Sequence, residues 1–455
     1  MTLDLSSLHS VSEALASGQT SSLELTEQMI AQALDPASQG SRVYTRVFAQ
    51  QARAAASASD QLRKAGLARS NIEGVVLAVK DLFDIEGVTT RAGSVVLDGA
   101  PEASADAAIV KRLRQAGAVI LGTTNMTEFA FSGLGINPHY GTPLNPWDRE
   151  TQRIPGGSSS GSAVAVSDGL ACAAIGTDTG GSVRIPAALC GLTGFKPTAR
   201  RISQAGTLPL SASLDSIGPI AHSVACCAML DAIMAGTCAP APKAANLSTL
   251  VLGLTRRLFM EGVDAEVDDT FERACENLRR AGVRIVDLDI PELDELATIN
   301  HAGGLAAAES WAWHQALLKN RQNEYDPRVA TRILRGQQQS ASDYIALQKA
   351  REDWISRVSL RISQVDAIIT PTVPMIAPAL KPLQDDDALY TRINMLMLRN
   401  ASVINFLDGC ALSLPCHRPG RAPVGLMLSC LGGHDSHLLS IGLACEAQLQ
   451  RGYGQ

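Results

Sequence analysis

A repeating local order, helix then glycine then strand, constrains this chain more than any other feature. Residues Ala107 to Ala116 carry Ile109 and Leu113 on one helical face, Gly117 suits the position just past the helix, and Ala118 to Gly122 (AVILG) reads as a short buried strand. The same order returns where Phe271 to Ala281 is helical, Gly282 stops it and Val283 to Ile290 is a strand. Short apolar strands fed by amphipathic helices predict an α/β protein, with a mixed sheet covered by helices on both faces. At 455 residues, 46% hydrophobic and 18% charged, the chain can bury a large core. Aromatic residues are only 4%, so Ala, Val, Ile, Leu and Gly must fill most of it.

Near the N-terminus, Ser21 and Glu24 form a capping box ahead of a helix running toward Leu34. The breaks in the pattern, Cys238 to Ser248, Gln337 to Asp343 and the acidic stretch Lys381 to Asp387, read as surface loops of one continuous domain over residues 1–455. Within it, a helical part covers about 1–65, a core about 66–235, and a final part about 236–455 that continues the same sheet.

Several function classes recede. A formal net charge of -6 argues against a nucleic-acid surface. None of the ten cysteines sits in a C-x-x-C pair, no H-E-x-x-H occurs, and His434 and His437 read as surface residues of a helix, so no metal site is expected. The cysteines read as buried reduced thiols. The N-terminus lacks a basic region followed by an apolar run, and Ser162 to Gly176 is too short and too polar to span a bilayer. A cytoplasmic protein without a membrane partner is the expectation.

Chemistry concentrates in Gly156 to Thr198, GGSSSGSAVAVSDGLACAAIGTDTGGSVRIPAALCGLTGFKPT. Its first cluster admits three readings. Gly156 to Gly161 has phosphate-loop spacing but lacks the lysine that such a loop needs. Gly157 to Gly161 fits G-x-S-x-G with Ser159 as nucleophile, but the preceding NPWDRETQRIP makes a poor strand. The plainest reading is a glycine-rich turn whose serines 158, 159 and 160 cap a helix through Ala163 to Val166. Upstream, Val75 to Val79 is a strand with Lys80 at its end.

Taken together, GGSSSG, GTDTGGSVRIPA and CGLTGFKPT resemble the signature of the amidase signature family, and GVVLAVKDLFDIEG resembles its lysine motif. GTTNMTEFAFSG, YGTPLNPWD, SLDSIGPIAHS, TPTVP and the C-terminal ALSLPC and PVGLML extend the resemblance over most of the chain. It implies that family's single-domain α/β fold, no cofactor, and a Ser–cis-Ser–Lys triad: Ser182 as nucleophile, Ser158 as bridging serine after a cis peptide, and Lys80 as base.

That chemistry makes physical demands. A serine attacks only when a base takes its proton, and lysine is a base only when neutral. Its pKa must fall from roughly 10.4 toward about 8, a shift worth roughly 3 kcal/mol that burial can supply. Backbone N–H groups of Thr179, Gly180, Gly181 and Ser182 are the expected oxyanion donors, with a helix starting at Val183 behind them. Asp178 and Arg184 are expected to hold that loop, unless they form an exposed pair, and Ser159 to support it. Asp215 is expected to shape a turn. Met126, Phe129 and Gly157, with the Met395 to Leu398 run, are candidates for an acyl pocket, and core packing is the alternative for the methionines and Phe129.

The function implied is an amidohydrolase releasing ammonia or an amine from a small carboxamide, carbamate or aryl amide. The same family includes glutaminase-type components of tRNA-dependent amidotransferases, which is the alternative. A non-catalytic binding protein is a further one, against which the retained triad residue types speak. A homodimer is the assembly carried forward.

Overall fold

A computed structural model of the chain describes residues 4, 5, 7–237 and 240–452. Among these residues eleven strands form one sheet: β1 (Tyr44–Val47), β2 (Val76–Lys80), β3 (Val119–Thr124), β4 (Ala173–Asp178), β5 (Thr193–Lys196), β6 (Ser216–Ala221), β7 (Val251–Leu254), β8 (Arg284–Asp287), β9 (Ala367–Pro371), β10 (Cys410–Pro415) and β11 (Gly425–Cys430). Their order is β1-β3-β2-β4-β6-β5-β10-β11-β9-β7-β8. Pairing is mixed: β2 runs parallel to β3 and β4, and β7 to β8 and β9, while β4–β6, β6–β5, β5–β10 and β10–β11 are antiparallel.

Successive strand residues point to opposite faces. Every residue of β2, β3, β4, β6 and β11 is nevertheless buried, so helices cover both faces and the protein is a single large α/β domain. Small side chains allow the tight fit: Ala78, Ala173 and Ala174 are wholly buried at the β2–β4 seam.

Local sequence signals act where expected. The Ser22–Leu34 helix has its capping box, with Ser21 Oγ accepting from Glu24 N and Glu24 Oε2 accepting from Ser21 N. The Ala108–Gln115 and Ala265–Arg280 helices end before Gly117 and Gly282, both at φ +98°. His437 sits half-exposed on the Asp435–Arg451 helix, which His434 precedes.

Two expectations change. The acidic stretch is not a loop: Leu380–Asp385 is a helix, and Asp386 caps the following Asp387–Phe406 helix by accepting from Ala388 N and Leu389 N. Negative charge suits that N-terminal position. Gln337 to Asp343 likewise holds a 3₁₀ turn and the capping box of the Ala341–Ile362 helix. The predicted loop starting at Cys238 begins outside the described residues, as does Cys238 itself; the nine described cysteines are free and buried. No helix among the described residues is long and apolar enough to cross a membrane.

Candidate active site

Parallel pairing of β2 with β4, in register Val79 to Ile175, sets the ends of these strands side by side. Lys80 ends β2 and is fully buried; Thr177 and Asp178 end β4. The Gly156–Ser159 turn then enters over them. Gly157 N donates to Gly133 O at 2.8 Å and Thr127 N donates to Ser158 O at 3.1 Å, which fixes the turn against a neighbouring loop. The Gly157–Ser158 peptide is cis.

In this frame Lys80 Nζ donates to Ser158 Oγ at 2.8 Å and to Thr177 Oγ1 at 2.9 Å. Burial pushes the Lys80 ammonium down to about 7, against the charges of Asp215 and Asp178, which favour its proton. Ser182 lies on the adjoining loop, tied to the same turn by Ser159 N donating to Ser182 O at 3.3 Å. The structure therefore gathers Lys80, Ser158, Ser159 and Ser182, from three separate chain segments, into one buried locus.

None of serines 158, 159 and 160 caps the helix that follows, which runs Ser160–Ser167. Ser158 is engaged by Lys80, and Ser159 Oγ faces Thr177 O at 3.5 Å.

The loop from Asp178 to Ser182 is held from behind. Asp178 and Arg184 are both fully buried, so the exposed-pair alternative is excluded; Arg184 Nε and Nη2 donate to the two carboxylate oxygens, each at 2.9 Å. The same carboxylate accepts Gly181 N at 2.8 Å and Val183 N at 3.2 Å. Burial alone would raise the Asp178 pKa, but the Arg184 charge and hydrogen bonds hold it well below the usual carboxylate range. Asn405, from the Asp387–Phe406 helix, donates Nδ2 to Asp178 Oδ1 at 2.9 Å and accepts from Arg184 Nη2 at 2.7 Å.

Asp215 shapes its turn by accepting Leu210 N and Ser211 N, both at 3.0 Å. It also accepts the Thr179 hydroxyl, and burial raises its pKa to about 6. Sequence reasoning missed Thr177, Asn405 and the link from Asp215 to the site. Thr177 was findable, because it sits two residues beyond the one that pairs with Val79; Asn405 carries no local signal at all.

Next to Ser182, Thr179 and Gly180 opens a cavity of about 570 Å³. Met126, Phe129 and Gly157 do not line it. Met126 and Phe129 are core, and Phe129 packs edge-on against His314 with ring centroids 4.4 Å apart. The single 3₁₀ turn Glu128–Ala130 aims Phe129 inward and leaves Ala130, Phe131 and Ser132 to face the cavity. The Met395 to Leu398 run divides by helical phase: Met395 and Leu398 line the cavity, while Met397 is core. Among the described residues no group of three or more His, Cys, Asp and Glu side chains could hold a metal ion.

Comparison with known proteins gives a consistent result. The family model described as Amidase matches residues 24–439. A 2-amino-5-chloromuconic acid deaminase of Comamonas testosteroni is 35% identical over 408 residues, covering 88% of this chain and 87% of that protein. The A-type component of the glutamyl-tRNA(Gln) amidotransferase of Chloroflexus aggregans is 33% identical over 469 residues, covering 95% of this chain and 94% of that protein. A crystal structure of an amidase superposes with a TM-score of 0.86 at 31% identity, covering 96% of this chain and 98% of that one.

Proposed function

The chain belongs to the amidase family and is a hydrolase of C–N bonds, and from that premise we propose that it cleaves small carboxamide-type substrates through a seryl acyl-enzyme. The observation that carries the mechanism is the buried 2.8 Å contact between Lys80 and Ser158, beneath the loop bearing Ser182. Ser182 Oγ attacks the substrate carbonyl carbon as its proton passes to Ser158 Oγ, and the Ser158 proton passes to neutral Lys80 Nζ. Negative charge gathers on the carbonyl oxygen, where the N–H groups of Thr179, Gly180 and Ser182 receive it; the Gly181 N–H, expected as a further donor, is committed to Asp178 Oδ1 at 2.8 Å and holds the loop instead. The relay then runs backward and protonates the leaving nitrogen, the C–N bond breaks, and ammonia or an amine departs. Water attacks the acyl-serine by the same route and frees the acid.

Asp178, Arg184 and Asn405 act as positioning residues for the loop, and Ser159 ties the turn to it. The apolar cavity beside Ser182 receives the acyl side of the substrate.

The proposal is tested with purified protein and a panel of amides, carbamates and esters, comparing the wild type with Ser182→Ala. Hydrolysis by the wild type and loss of about 10⁶-fold in Ser182→Ala is expected, the scale seen on removing a serine nucleophile. Full activity in Ser182→Ala would exclude the acyl-enzyme route. Similarity to an amidotransferase component over 95% of the chain supports a second reading, a glutaminase that passes ammonia to a partner. Glutamine hydrolysis that appears only with partner proteins and tRNA would favour that one. Nine buried free thiols among the described residues support a cytoplasmic location, since a reducing compartment preserves them.

A further inference from the structure

The cavity beside Ser182 has an unusual charge balance. Three arginines, Arg332, Arg335 and Arg399, and His301 line it, and no Asp or Glu does among the described residues. The chain as a whole is acidic, with 45 Asp and Glu against 39 Lys and Arg. Many arginines elsewhere pair with carboxylates: Arg328, one turn before Arg332 on the Pro327–Leu334 helix, pairs with Asp387.

Arg332 takes part in no such pair among the described residues. Its guanidinium stands 5.2 Å from the centroid of the Phe131 ring and donates Nη1 to the Phe131 carbonyl. Phe131 and Ser132 line the same cavity, so one stretch of chain fixes the guanidinium within the space that Ser182 faces. Burial lowers the Arg332 pKa, with Arg335 adding to that and Tyr390 opposing it. Arginine nevertheless keeps its proton. Arg335, at the exposed rim, donates Nη2 to His301 O at 3.0 Å. Arg399 spends its donors on Glu261 O, Phe259 O and Asn400 Oδ1, and contributes mainly charge. A half-buried guanidinium without a counter-ion is costly, and a ligand anion removes that cost. Leu210, Leu214, Met395 and Leu398 supply an apolar span for a carbon spacer.

Resting on the amide-hydrolase reading above, we infer that the substrate bears a carboxylate on its acyl side, received by Arg332 with Arg335 at the rim, and no ammonium group beside it. An α-amino acid amide such as glutamine would set its ammonium against arginines with no acid to hold it, which weakens the glutaminase reading.

The test reads the rate at which phenylmethylsulfonyl fluoride labels Ser182, followed by intact mass, with Ser182→Ala as control. Three competitors of one length are compared: hexanoate, hexanol and hexylammonium. Hexanoate is expected to protect about 10- to 100-fold better than the other two, the contribution of charge-assisted hydrogen bonds. Within Arg332→Gln, the ratio of rates with and without hexanoate should fall toward one, and Arg332→Lys should restore part of it. Equal protection by all three competitors, or hexanoate protection that persists in Arg332→Gln, would overturn the inference. Should Arg332→Gln not fold, the wild-type ranking of the competitors decides alone. Absence of any Ser182 label in the wild type would instead strike the triad reading itself.

Discussion

The proposed mechanism requires at position 80 an amine free of its proton near neutrality, and burial favours one. Neutral Lys80 can receive the Ser158 proton; charged Lys80 cannot. Activity, as kcat/KM, should therefore rise with pH through about 7 and level off above it, rather than climb toward the ordinary lysine value of 10.5. Lys80→Arg, which holds its proton throughout, should lose about 10²–10⁴-fold across the whole range. The same shift acts on stability. Between about 7 and 10.5 the unfolded chain binds a proton that the folded site refuses, so Lys80 makes the fold more stable as pH rises through that window. Thr177→Val removes an acceptor that favours the charged amine, and should move the acidic limb of the profile to lower pH by about half to one unit. Lys80, Ser158 and Ser182 are singled out only through the family resemblance of the motifs that hold them; on its residues alone Lys80 reads as a lysine at a strand end. Asp215 was legible as a turn former only; that its carboxylate also meets Thr179 depends on how two distant loops pack.

The loop between β4 and the Arg184–Leu189 helix works as one element. Its chain direction depends on Gly181, at φ +119°, where an added Cβ would lie 2.5 Å from Ala401 Cβ and 2.6 Å from Ile185 Cδ1. Gly181→Ala meets both a disfavoured backbone and a full neighbourhood. By displacing the neighbouring Gly180 and Ser182 N–H groups it should cost at least about 10²-fold in kcat, with KM less affected. Asp178→Asn leaves Arg184 buried without its counter-charge, and should lower unfolding free energy by about 3–5 kcal/mol in urea titration. The depressed Asp178 pKa gives the sign with pH: its contribution is complete above about 4, the unfolded carboxylate value, and is lost as pH falls below that. Strand and helix positions were legible because burial periodicity is local. The acidic Asp385–Asp387 stretch was misread because composition resembles a solvated loop, whereas its role as a helix cap depends on spacing to the next helix.

Across the whole molecule, the α/β class was legible, but strand order was not, since pairing β5 with β10 joins residues more than two hundred positions apart. The nine described cysteines are all interior, and burial raises Cys172 and Cys445 to about 12. They should stay inert to dithionitrobenzoate in the native protein and react together as denaturant unfolds it. Asn405 adds a further consequence, because it reaches back to clamp a loop some 227 residues earlier. During synthesis the ribosome makes Ser182 long before it makes the clamp. A nascent chain therefore carries the Asp178–Ser182 loop without this clamp until the Asp387–Phe406 helix has emerged.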